Sequence, residues 1–155
     1  MKSKASIAGH PLHPIFVTIP IGLWSFSPVC DLIYHIGWGG DCWRLAALYC
    51  LIGGIAGAVP AIVTGYMDYS LCETKAAAKV ATTHFYLNIS VTVLMMTSVA
   101  FRLWDRTAYE LVPVFISLAG VILVGCSGWL GGELVVRHGI GVHDDAVKKE
   151  RASGG

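Results

Sequence analysis

Four apolar stretches, each long enough to cross a lipid bilayer, dominate the sequence and leave little chain for anything else. An α-helix rises about 1.5 Å per residue, so about 20 apolar residues cross the hydrocarbon core. Stretches of that length run from Pro14 to Tyr34, Trp43 to Tyr66, Val80 to Trp104 and Glu110 to Val136, and KAAAK can extend the third one upstream. The segments between them, HIGWGGDC, MDYSLCETKAAAK and RLWDRTAY, are short. Short connections make neighbouring helices antiparallel. The expectation is an all-α membrane protein, a four-transmembrane-helix antiparallel bundle over residues 14–138. A cytoplasmic N-terminal arm (1–13) precedes it and a polar C-terminal tail (139–155) follows it.

Charged residues make up 14% of the 155 residues, against about a quarter in a soluble domain. With 11 Lys+Arg against 10 Asp+Glu there is no basic footprint for nucleic acid, which is excluded as a partner. The lipid bilayer is the obligatory one. The opening MKSKASIAGHPLHP leads into a full span without a small-residue cleavage site, so it reads as an arm and not as a removable signal.

Orientation follows from the basic residues. Lys2, Lys4, Lys75, Lys79, Arg137, Lys148, Lys149 and Arg151 fall on the side of the termini, and Arg44, Arg102 and Arg106 on the other. Eight against three predicts both termini in the cytoplasm, by the positive-inside rule. A multi-pass protein of a bacterial inner membrane is expected. Trp38, Trp43 and Trp104 lie near the opposite ends, as an aromatic belt does.

Small residues mark helix contacts. Gly53, Gly57, Ala61 and Gly65 recur every four residues in the second span, a smooth stripe for close approach. Gly120, Gly125, Gly128, Gly131 and Gly132 in the fourth serve either tight packing or room for a flat cofactor. The five cysteines show no CxxC spacing and read as small apolar fillers.

Five of the six histidines fall on the side of the termini: His10, His13, His84, His138 and His143; His35 is alone on the other. Pro11 and Pro14 hold the residues before them extended. His13 therefore belongs at a helix mouth and His10 on an arm folding back over the bundle. His84 lies within the apolar third span, where an ionisable group is costly and marks a functional site by default. Asn88 stands at i+4 on the same face. His138 precedes a helix-capping Gly139, beside Arg137, which suits an anionic group. Asp68, at the end of the second span, can orient a histidine through its second nitrogen. Glu133 is placed to pair with Arg137, and Asp31 with Arg44 or Arg102. The plainer readings are an interfacial lid for His10 and His13, an interhelical hydrogen bond for His84 and a helix-dipole contact for His138.

The strings GHPLHPIFVTIPIGLW, Asp31, Gly65–Asp68 (GYMD), His84–Asn88 (HFYLN) and Gly131–Val142 (GGELVVRHGIGV) resemble the bacterial membrane proteins of domain of unknown function family 2231. The resemblance covers about residues 9–142 and implies a four-helix membrane domain. Some relatives carry Rieske or cytochrome c-like domains, which implies a role in electron transfer. The family's motif positions fall on His10, His13, Asp31, Asp68, His84, Asn88 and His138. The chain departs from the pattern at Thr18, where many relatives carry a further histidine.

Three functions remain open. The first is a membrane electron-transfer protein binding haem b, with His84 and either His13 or His138 as ligands, Asn88 nearby and Arg137 or Lys79 for the propionates. The second is a zinc, copper or iron site built from His10, His13, His84, His138, Asp68 and Glu133, in a membrane enzyme or metal handler. The third is a cofactor-free structural subunit of a membrane redox complex. Redox partner proteins, quinone and further copies of the chain are the partners these readings imply.

Overall fold

The structure, a computed structural model, describes residues 3–104 and 111–142. Four long helices carry it: α1 Leu12–His35, α2 Asp41–Tyr69, α3 Lys75–Trp104 and α4 Leu111–Val136. Each is long and apolar enough to cross a membrane, and the antiparallel bundle is as expected. Ahead of α1 the arm makes a two-stranded hairpin, β1 Ser6–Ile7 and β2 His10–Pro11. Positive φ at Ala8 and Gly9 turns it.

α1, α2 and α3 begin before the apolar stretches, and α1 and α2 end after them. α1 starts at Leu12, whose N–H donates to Ala5 O at 2.8 Å, after Pro11 has set an extended entry. α3 starts at Lys75 because the Thr74 hydroxyl accepts the Ala77 N–H at 3.1 Å, an N-cap bond, and KAAAK is strongly helix-forming. α4 ends where Gly139, at φ 64, takes the left-handed conformation and its N–H donates to Val135 O at 3.1 Å. Glu110, the expected first residue of the fourth span, lies outside the described residues.

The bundle is two hairpins. α1 packs closely on α2 and α3 on α4, with sparser contact between the pairs. The small-residue stripe of α2 lies against α1. A Cβ at Gly53 would meet Leu23 at 3.0 Å, one at Gly57 would meet Ile19 Cβ at 2.8 Å, and one at Gly65 would meet the His13 ring. Lipid exerts no hydrophobic pressure between helices, so this interdigitation is what holds the hairpin. Gly57→Leu is therefore expected to cost about 1–3 kcal/mol or more and to lower the unfolding temperature in detergent. Unchanged unfolding would show that the stripe is not a close contact.

The two hairpins repeat one another. Adding 71 to His13, Trp24, Ser27 and Asp31 gives His84, Met95, Ser98 and Arg102; adding 66 to Ala47, Gly54, Ala61 and Gly65 gives Pro113, Gly120, Ser127 and Gly131. The contacts repeat with the numbers. Ser27 Oγ donates to Ala47 O and Ser98 Oγ to Pro113 O. Trp24 lies over Gly54 and Met95 over Gly120. His13 bonds Ala61 O and His84 bonds Ser127 O. A pseudo-two-fold along the bundle thus relates α1 to α3 and α2 to α4. Asp31 and Arg102 are equivalent under it and meet far from the termini, with Arg102 Nη1 and Nη2 donating to the carboxylate at 2.7 and 2.6 Å. Arg102 Nε also donates to Ser98 Oγ at 3.3 Å.

Candidate histidine-pair site between the hairpins

At the end of the bundle that carries the termini, the same symmetry brings His13 and His84 together. Each imidazole is set by the partner helix of its own hairpin. His13 Nδ1–H donates to Ala61 O at 2.8 Å, and His84 Nδ1–H donates to Ser127 O at 2.9 Å. A carbonyl oxygen only accepts, so Nδ1 carries the proton in both rings and Nε2 offers its lone pair. Each ring fits because a glycine lies beneath it: a Cβ at Gly65 would come within 2.8 Å of the His13 ring, and one at Gly131 within 3.2 Å of the His84 ring. The ring centres are 6.4 Å apart and the planes stand at 82°.

The two halves differ in polarity. Asn88 Nδ2 donates to Ser127 Oγ at 2.7 Å and to His84 O at 2.8 Å, and lies 3.1 Å from His84 Nε2. The corresponding residues of the other half, Val17 and Ala61, are apolar. A cavity of about 470 Å³ adjoins both histidines and Asn88, reaching down to Trp24. That is within the usual range for a small-molecule site, about 300–1,000 Å³. Its lining is otherwise chiefly apolar.

The family described as predicted membrane protein (DUF2231) matches residues 9–144. The chain belongs to this family. No curated protein and no solved structure matches it.

The residues that the family resemblance singled out divide in the structure. His13, His84 and Asn88 converge on the cavity. His10 is exposed in β2, its Nδ1–H donating to Ala8 O at 3.2 Å, and it does not line the cavity. His138 is half-buried in the turn after α4 and does not itself line the cavity, although Val136 and Ile140 on either side of it do, and Arg137 is exposed and pairs with Glu133 at 3.3 Å. His143 lies outside the described residues. Asp68 is buried at the cavity edge, but its hydrogen bonds go to the arm and not to a histidine. Ser3 Oγ donates to its two oxygens at 2.9 and 2.8 Å, and Lys4 N–H donates to Oδ1 at 2.9 Å. Among the described residues no three His, Cys, Asp or Glu side chains converge to hold a metal ion. Ser127, the residue that sequence reasoning missed, looked like one more small residue in a glycine-rich span.

Asp68 therefore latches the arm to the end of α2. Asp68→Ala is expected to cost about 1–3 kcal/mol at that contact, because Ser3 and Lys4 lose their acceptor. Limited proteolysis in detergent should cut the first residues faster in the variant. Equal cleavage rates would mean that the latch holds nothing.

Proposed function

We propose that this protein is a membrane electron-transfer protein carrying a b-type haem between His13 and His84. The observation that carries the reading is the pair itself. Two metal–imidazole bonds of about 2 Å each, with the ring radius added at both ends, put ring centres about 6 Å apart; here they stand 6.4 Å apart. In both rings a carbonyl holds Nδ1–H, the arrangement that fixes ligating histidines, and leaves Nε2 as the lone-pair nitrogen, which in His84 lies 3.1 Å from Asn88 Nδ2. The Asn88 amide retains Ser127 Oγ and His84 O as acceptors when Nε2 turns to a metal.

A bare zinc or copper ion wants three or four protein ligands. A haem brings four nitrogens of its own and needs only the two axial imidazoles. The shape of the site favours it further. The cavity lies between two hairpins that touch sparsely, a slot for a flat group, and its apolar walls suit a macrocycle. When bound, the haem supplies one-electron chemistry, and two axial histidines favour electron transfer over oxygen activation. The chain orients the imidazoles through the Ala61 and Ser127 carbonyls, lines the cavity with apolar side chains down to Trp24 and holds the arm to α2 through Asp68.

The excess of basic residues on the side of the termini supports an inner-membrane location with the site near the cytoplasmic face. The test is the absorption and electron paramagnetic resonance of protein purified in mild detergent, with elemental analysis. A Soret band is expected, together with a strongly anisotropic low-spin ferric signal. Imidazole planes near 82° leave the two π-type d orbitals of the iron nearly degenerate, which produces that anisotropy. Protein with stoichiometric zinc or copper and no Soret band would support the metal-site reading. Protein with neither would support the structural-subunit reading.

A further inference from the structure

The packing between the hairpins is graded along the bundle. From mid-height to the far end it is filled. Leu51, Val91 and Met95 are wholly buried and pack with Trp24, and beyond them Arg102 of one hairpin donates to Asp31 of the other. From Trp24 to the end that carries the termini the cavity takes up the space between the hairpins. The polar contacts of this hollow half stay within single hairpins. His13 bonds Ala61 O, His84 bonds Ser127 O, Asn88 bonds Ser127 Oγ, and the arm bonds Asp68 of its own hairpin. One edge is tied across. Thr82 Oγ1 donates to Ala78 O at 2.8 Å, so the Tyr69 hydroxyl is the donor in its own 2.8 Å bond to Thr82, which joins α2 to α3. The Tyr66 and Phe85 rings pack nearby with centres 6.2 Å apart, and residues 70–74 connect the same two helices. The opposite edge has no such tie. Among the described residues no hydrogen bond, ion pair or ring contact joins α1 to α4, and the two helices touch sparsely.

In a bilayer this difference decides which parts separate. Apolar surfaces that part there are covered by lipid tails as apolar as themselves, so no hydrophobic force holds them together. A hydrogen bond or ion pair broken in hydrocarbon finds no water to replace it. Parting α1 from α4 breaks no polar bond. Parting α2 from α3 breaks the Tyr69–Thr82 bond and strains the 70–74 connection, and parting the far ends breaks the buried Asp31–Arg102 pair. We infer that the two hairpins are the rigid halves of a clamp, hinged along the α2–α3 edge and at the Asp31–Arg102 pair, whose α1–α4 edge opens at the end of the bundle that carries the termini. Hinge motion of this kind moves packed elements as units and is absorbed at a few connecting residues. Here these are residues 70–74. Each imidazole travels with the carbonyl that holds it, so the clamp opens without disturbing either ring. It works in the same way whatever the cavity holds.

The experiment is double electron–electron resonance on the full chain in nanodiscs. The nitroxides are carried on p-acetylphenylalanine, which leaves the five native cysteines untouched. They sit at exposed positions outside the cavity lining. Ile15 with Trp129 reports the α1–α4 edge near the termini, Val63 with Tyr86 the α2–α3 edge at that end, and Leu32 with Leu111 the far ends of α1 and α4. The Ile15–Trp129 distribution is expected to hold a second population, or to be wider than both others by more than about 2 Å, the scale that separates a hinge rearrangement from rigid docking. The other two are expected to be single and narrow. Thr82→Val removes the acceptor of the Tyr69 hydroxyl and is expected to widen the Val63–Tyr86 distribution while leaving Leu32–Leu111 as it was. Three equally narrow distributions in the unsubstituted background overturn the clamp, because the bundle is then rigid. Three equally broad ones overturn it too, because the hairpins then have no hinge. A broad Leu32–Leu111 distribution overturns the hinge at the ion pair, and a Val63–Tyr86 distribution unmoved by Thr82→Val overturns the hinge along α2 and α3.

Discussion

Replacing His84 with alanine is expected to abolish the low-spin spectrum of the purified protein, and His13→Ala is expected to do the same. The two imidazoles stand edge to face with centres 6.4 Å apart, at equivalent places in the two hairpins, so neither serves as a spare for the other. With either histidine gone, a haem held by the pair would lose its low-spin state or be released. Supplying imidazole in the buffer should restore part of the low-spin band, because the vacated space is that of the lost ring. A merely structural histidine would show no such rescue. His138→Ala and His35→Ala are expected to leave the spectrum alone, since neither residue lines the cavity. A full cofactor complement with an unaltered spectrum in both His13→Ala and His84→Ala would sink the site, and a His138→Ala protein without low-spin haem would move the ligand to the end of α4.

The other large effect is expected at the far end. Asp31 and Arg102 are 2% and 8% exposed in their side chains. Truncating one partner of such a pair leaves an uncompensated buried charge and typically costs about 3–5 kcal/mol. Asp31→Asn and Arg102→Gln should each lower stability by that order. The double variant should lose much less than the sum, because the pair is neutralised together. The pseudo-two-fold adds a sharper expectation. The two positions are equivalent, so exchanging the charges, Asp31→Arg with Arg102→Asp, should recover most of the stability that either reversal alone destroys. Like charges would face each other in both single reversals. The measurement is unfolding in a detergent series, read by circular dichroism. Additive losses, with no recovery in the exchange, would mean that the hairpins are not joined through this pair.

The spans, their antiparallel order and the α2 stripe were legible in the sequence because each depends on local chain alone: an apolar length, a short loop, a small residue every fourth position. The Glu133–Arg137 pair was legible for the same reason, since four residues bring two side chains together on any helix. His84 and Asn88 stood out because a buried polar group in a span demands a partner. The choice of His13 over His138 as the neighbour of His84 was not legible. It depends on how deep each helix sits and which face it turns inward, and contacts over long sequence separations set both.

The repeat was hidden for a related reason. Across its two offsets the matched helices share only His13/His84, Leu23/Leu94, Ser27/Ser98, Leu32/Leu103, Leu45/Leu111, Gly54/Gly120 and Gly65/Gly131. An apolar helix surface tolerates almost any exchange among aliphatic residues, so the matched positions drift while the contacts persist. Asp31 and Arg102 go further, since opposite charges at equivalent positions look unrelated in sequence and become one ion pair only in the bundle. Likewise Asp68, which reads as a companion for a histidine, meets Ser3 and Lys4 instead, because the arm folds back over the bundle and brings two donors to a carboxylate 65 residues away. By itself the sequence determined how many times the chain crosses a bilayer and which polar groups must find partners there. Only the tertiary structure decided which partners they are, because in a helical bundle pairing is set by the rotation and depth of each helix, and no local pattern encodes either.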